Sequence, residues 1–300
     1  MTLLLGSLQL GLTYGLLAIG VYIAFRILNI PDLTAEGSFT FGLAVSARLT
    51  VSGHPYLSIV AAVIAGMAAG CVTGLFQTKL RIHPVLAGIL TMSGLYSVNL
   101  LIMGSSSNLS LIGSSTIFRI MTDKLPFLTK EGVKTLLPFL FVLIIAILMI
   151  LFFKTRIGLC IRATGNNEDM VRASSIDVDT TKILALAVSN GSIALSGALI
   201  AQYQGFADIN SGVGILVVGL ASVIIGELIC RKDSVSLGIL AAIIGSVIYR
   251  YMIAVALKYS PFPAYALKLV SACIVAIALS LPAIQYQAEL KKIRRGARKS

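Results

Sequence analysis

Apolar runs of roughly twenty residues, parted by short polar breaks, repeat along nearly the whole chain. A run of about that length crosses the hydrocarbon core of a bilayer as one helix. The pattern predicts nine spans, at 3–25, 36–51, 57–77, 84–103, 136–153, 183–203, 213–229, 237–257 and 264–284. The first carries no charge and follows no basic stretch, so it is read as a retained helix rather than a removable signal. The second is the shortest, rich in Gly and Ser, and only marginally long enough to cross; it follows the break Asn29-Ile30-Pro31-Asp32. The third carries Gly66-x-x-x-Gly70-x-x-x-Gly74, three glycines on one helical face that admit a neighbouring backbone, which places it deep in the bundle.

Two polar stretches interrupt the apolar rhythm. Residues 104–135 form a Ser- and Gly-rich loop with an amphipathic middle around Ile117 to Met121, suited to an interface. Residues 154–182 hold nine of the thirty-six charged residues, in both signs, and read as two short helices joined by a turn. Gly165 is expected to end the first helix and Asn166 or Asn167 to cap the second. Glu168 and Asp169 then suit the positive end of that helix, and Asp179 can cap the next apolar helix. The chain divides into a membrane domain over 1–285 and a basic tail over 286–300, whose six Lys and Arg suit an anionic leaflet.

Composition agrees with this reading: 57% of residues are hydrophobic, 12% are charged, and the mean hydropathy is +0.94. The net charge of +12 does not indicate nucleic acid, because the basic residues form no stripe interleaved with aromatics. It reflects their distribution about the bilayer. With nine crossings and a cytoplasmic tail, sixteen Lys and Arg fall inside and eight outside, which puts the N-terminus outside and the 154–182 loop in the cytoplasm. Without the six tail residues the count is ten to eight, so the tail carries much of the bias. Cys71, Cys160, Cys230 and Cys273 are scattered and form neither a metal motif nor a disulfide framework; they read as small apolar packing residues.

Gly158, Arg162-Ala163-Thr164-Gly165-Asn166, Met170, Ala173 and Ile176 resemble the cytoplasmic coupling loop of permease subunits in the branched-chain amino-acid-like class of ABC importers. The stretches 197–205 and 212–226 resemble that class too, and 32–42 is closest to an uncharacterised subgroup often associated with aromatic amino acids. The similarity covers nearly the whole chain. One position departs from the family pattern: Ser175 stands where the family usually has Gly, and Ser tolerates positive φ poorly. The resemblance implies an all-α polytopic permease with coupling helices between spans 5 and 6, in a bacterial plasma membrane. It further implies a second permease copy in a homodimer, an ABC ATPase subunit that binds ATP and Mg, and an extracytoplasmic substrate-binding protein. No cofactor is expected on this chain.

No nucleophile-base pair, metal-ligand spacing or phosphate-cradling Gly-Lys-Ser/Thr loop occurs, so nothing points to an enzyme, and a membrane transferase lacks a convergent polar constellation. His54 and His83 fall in turns. Asp208, Glu227, Arg48, Arg250 and Lys268 lie near predicted span ends, where they snorkel or cap, or else line a path. Asp32 and Glu36 are read as dipole partners of the second helix rather than ligands. Gly37, Ser38, Phe39, Phe41, Gly42 and Ser46 open one helix and Gly212 and Gly214 another, running oppositely through the bilayer. That correspondence is compatible with an inverted repeat flanking a translocation path, by analogy with secondary transporters. The same glycines equally serve tight helix packing. A stand-alone secondary transporter is the alternative function, though mid-span carboxylates or histidines for ion coupling are scarce.

Overall fold

The structure, a computed structural model, describes residues 2–124, 129–230 and 234–259, together with residues 272, 273, 275, 276 and 280. It is a helical bundle. Helix α1 (Thr2–Tyr22) runs into a π-helical turn, Ile23–Ile27. Then come α2 (Thr34–Val51), α3 (Pro55–Thr78), α4 (Pro84–Ile102), the short strand β1 (Asn108–Ser110), α5 (Ile117–Lys124) and α6 (Lys130–Phe152). Two short helices follow, α7 (Arg156–Asn166) and α8 (Glu168–Ala173). The rest is α9 (Val178–Gln204), strand β2 (Phe206–Asp208), a 3-10 turn (Ile209–Gly212), α10 (Ile215–Ile229) and α11 (Val235–Tyr259). Strands β1 and β2 pair antiparallel, Leu109 opposite Ala207, and hold the polar loop to the exit of α9.

Among the described residues seven helical segments are long and apolar enough to cross a membrane. They correspond to seven of the nine expected spans. The second expected span is present as α2, but Glu36 and Arg48 within its eighteen residues leave it outside that set. The ninth, 264–284, and the tail lie outside the described residues, as do Lys268, Arg231 and Lys232.

Helix α9 is the central pole. Alanine, serine and glycine dominate its middle, so helices approach it on every side, and Ala185 to Gln202 is buried almost throughout. In a lipid surrounding this close packing, supplemented by interhelical hydrogen bonds, replaces the hydrophobic drive of a soluble core. Ser189 donates to the Gly20 carbonyl at 2.7 Å, Ser196 to the Thr13 carbonyl at 2.9 Å, and Ser46 to the Ala198 carbonyl at 3.2 Å. Gly66, Gly70 and Gly74 lie against α9 near Asn190, Leu186 and Ile183, where added Cβ atoms would meet α9 atoms. The glycine face therefore does admit a backbone. Yet α3 is peripheral rather than deep, because its other face leaves Val60, Ile64 and Met67 exposed.

Boundaries differ from expectation where a cap decides. Helix α6 starts six residues early, because the Thr129 hydroxyl accepts the Gly132 amide at 3.2 Å and opens the helix inside what had read as loop. Helix α9 is capped by Asp177, which accepts the amides of Asp179 and Thr180, and not by Asp179. Gly165 does not end α7: the helix continues to Asn166, and Asn167 both closes it and caps α8 by accepting the Met170 amide at 3.0 Å. Positive φ is found instead at Ser175, +58°, in the turn before α9.

Candidate substrate groove and coupling helices

Two helices begin inside the bundle, and their starts meet. After the π-helical turn the chain folds back through Asp32, whose fully buried carboxylate accepts the Thr34 amide at 2.9 Å and the Asn190 side-chain amide at 2.7 Å. A chain of hydroxyls, Thr34 to Thr73 at 2.7 Å and Thr73 to Thr91 at 2.9 Å, ties the start of α2 to α3 and α4. From the opposite side, the 3-10 turn carries Gly212 against the Glu36 carbonyl and the Thr40 hydroxyl, a fit that leaves no room for a Cβ. Gly214 then takes φ +81° and donates its amide to Glu36 Oε1 at 3.0 Å. Glu36 thus serves two dipoles, sitting in the first turn of α2 and against the start of α10.

Between these starts and α4 lies a groove of about 450 Å³ lined by Glu36, Gly37, Thr40, Met92, Ser93, Tyr96, Asn99, Ile209, Gly212 and Val213. The spacing explains it: Glu36 and Thr40, and Met92, Tyr96 and Asn99, follow the i, i+4, i+7 recurrence that puts residues on one helical face. Asn99 is 1% exposed and its Oδ1 has no hydrogen-bond partner.

The residues expected on the path are distributed unequally. Gly37 and Gly212 line the groove, and Gly214 stands at its edge through its bond to Glu36. Phe39 stacks on Tyr14 with centroids 6.1 Å apart and borders a second cavity of about 350 Å³ with Asp208 and Asn210. Gly42 and Ser46 pack against α9, at Ala194 and Ala198. The buried Ser38 hydroxyl is unpartnered, and Phe41 is half-buried. Residues not singled out from the sequence, Thr40, Met92, Tyr96 and Asn99, supply much of the lining. The one amide side chain of α4, in its last turn, was the available signal, since amide side chains in membrane helices call for a partner. Three of the residues near span ends take structural partners: Asp208 accepts the Asn210 amide, Glu227 pairs with Arg26, and the Arg250 guanidinium lies 3.8 Å from the Tyr14 ring centroid.

At the other end of α9 sits the pair α7 and α8. The inward face of α7 is Gly158, Ile161 and Thr164, with Thr164 and Thr181 hydroxyls 3.1 Å apart. Gly165 packs on the Ile27 carbonyl. The small residues of the Ala163-Thr164-Gly165 segment therefore accommodate this chain's own π-helical turn and α9. Arg162, Asn166 and Ala173 are exposed, Ala163 and Ile176 are partly so, and Ile157, Leu159 and Met170 are 48, 51 and 69% exposed. Such apolar exposure on a charged, capped element suits a protein partner.

Ion pairs fix this element to the bundle. Glu168 takes Lys182 at 2.6 Å and Arg172 at 2.8 Å, while Asp179 lies 3.6 Å from both Arg172 and Lys79. Hydrogen bonds from Lys182 and then Arg172 hold the Glu168 carboxyl below the usual glutamate range. Solvent screens these exposed pairs, so the network orients α8 more than it stabilises it.

Residues 3–279 match the family model described as the branched-chain amino acid transport system / permease component. The tyrosine transport system permease protein of Clostridioides difficile is 38% identical over 265 residues, covering 88% of this chain and 86% of its own. An uncharacterized protein of Rickettsia prowazekii is 34% identical over 284 residues, 93% of this chain and 98% of its own. Among solved structures, PsaBC from Streptococcus pneumoniae in complex with Fab matches with a TM-score of 0.51 at 15% identity. That likeness covers 92% of this chain and 89% of the other, and it concerns the fold alone.

Proposed function

The chain belongs to the branched-chain amino acid transport permease family, the membrane subunits of ATP-driven importers, and we propose that it admits an amino acid with an apolar or aromatic side chain. The likeness over 265 residues to a permease named for tyrosine transport favours this class, as does the apolar wall of the groove. Two copies form the pathway, nine spans per copy put the N-terminus outside, and the 154–182 element faces the cytoplasm. A separate ABC ATPase binds ATP and Mg, and an extracytoplasmic binding protein delivers the solute. The permease contributes no bond chemistry.

The single observation that carries coupling is the capped α7 and α8 pair, pinned by ion pairs to α9 while Ile157, Leu159 and Met170 point outward. ATPase closure then displaces α7 and α8 as one body, and α9 carries the displacement to the groove, a rigid-body switch between inward- and outward-open states. The paired starts of α2 and α10 support an inverted repeat, since the two helices run oppositely from one meeting point. The test is reconstitution in proteoliposomes with the cognate ATPase and binding protein. Uptake that needs ATP and both partners is expected, and uptake driven by an ion gradient without them would establish the secondary-transporter alternative.

A further inference from the structure

The charged group of the groove is an acceptor. Glu36 brings a carboxylate, which offers about four lone-pair sites, and the Gly214 amide takes one of them. The Thr40 hydroxyl donates to the Glu36 carbonyl at 3.1 Å, which leaves its lone pairs to face the groove. Asn99, almost fully buried, keeps its unpartnered Oδ1 shielded from the groove, while the Ser93 and Tyr96 hydroxyls of the lining can donate or accept. Among the described residues no Lys or Arg lines the groove. A carboxylate in apolar surroundings is unfavourable until donors reach it.

We propose that this groove binds the primary ammonium of the transported solute, with Glu36 as counter-charge and the Thr40 hydroxyl as a neutral acceptor. An ammonium is the compact three-donor cation that such a set demands. An anionic head would meet Glu36 with no described lining cation to compensate. The apolar remainder, formed by Met92, Tyr96, Ile209 and Val213, receives an aliphatic or aromatic side chain. The volume falls in the range of about 300–1,000 Å³ common for small-molecule sites. Glu36, read from sequence only as a dipole partner, becomes a ligand by virtue of the fold that brings Gly212 to it. This inference rests on the importer reading.

The test avoids the binding protein, whose own selectivity would mask that of the permease. Binding of tritiated L-tyrosine and L-leucine to the permease–ATPase complex in nanodiscs is measured at equilibrium. Tyramine, which keeps the ammonium, should compete, whereas 3-(4-hydroxyphenyl)propionate, which keeps only the carboxylate, should not. Glu36→Gln preserves an acceptor for the Gly214 amide and removes the charge; it should weaken binding at least about ten-fold, the loss typical of a charge-assisted hydrogen bond. Equal competition by the propionate, wild-type affinity in Glu36→Gln, or no saturable binding of either amino acid overturns the proposal. The analogue comparison decides even where a variant fails to assemble. ATP-driven uptake by the unmodified system is scored separately, so an importer that works with an ammonium-blind groove refutes only this inference.

Discussion

Ser175 occupies the left-handed region at φ +58°, in the turn that lets the chain leave α8 and enter α9. That conformation costs an L residue about 1–2 kcal/mol, whereas glycine there brings back only about 0.5–1 kcal/mol of unfolded-state freedom. Ser175→Gly is therefore expected to raise the thermal unfolding midpoint of the purified permease slightly, and Ser175→Val to lower it. Glu168 gives a second outcome. Its folded carboxyl titrates below the glutamate reference of 4.5, so its stabilising contribution is fully present above the unfolded value and is lost as pH falls through that value toward the folded one. Hydrogen exchange over residues 168–182 should accelerate as pH drops below about 4.5, after correction for the intrinsic rate. Glu168→Gln should flatten most of that response, leaving the share of Asp177, which hydrogen bonds from Thr180 also hold low.

At the scale of elements, much was legible because caps and breaks are local chemistry. Asn166 or Asn167 beside Glu168 and Asp169 announced the start of α8, Pro31 marked the break after the first helix, and Gly212 and Gly214 marked where another helix begins inside the bundle. What was not legible depends on long-range contact. Gly165 reads as a helix terminator from its neighbours, yet its smallness serves the Ile27 carbonyl, 138 positions earlier in the chain. Likewise Glu36 has a sufficient local role at the start of α2, and only the fold adds Gly214 and the groove. This distinction separates two variants that sequence alone would treat together. Gly165→Val forces a branched side chain onto the Ile27 backbone, overpacking that costs about 1–3 kcal/mol, and should lower the stability of the permease before any ATPase is added. Met170→Glu alters an exposed side chain and should leave stability unchanged while weakening ATPase association. Matching losses of association without any loss of stability in both would show that Gly165 faces the ATPase after all.

Across the whole molecule, α9 is fixed at both ends and gripped in the middle, which is what a lever requires. At one end Asp177 caps it and Lys182 ties it to α8. At the other, Gln202 donates to Ser58 at 2.8 Å and accepts the Ile117 amide at 2.8 Å, joining α9 to α3 and α5. Between them Gly42 lets α2, which carries Glu36 to the groove, lie directly on the Ala194 backbone. This changes what bulk at Gly42 tests: a larger residue there does not plug a path but lifts α2 from the lever. Gly42→Ala should therefore leave ATPase association intact, since α7 and α8 meet the far end of α9, and should reduce both uptake and the stimulation of ATP hydrolysis by loaded binding protein. Gly94→Ala is the matched control, because a Cβ at that α4 position meets nothing within 4 Å. Normal stimulation and uptake in Gly42→Ala would mean that α2 moves independently of α9, and the displacement would then have to reach the groove through α10, whose Glu227 is paired with Arg26 at the base of α1.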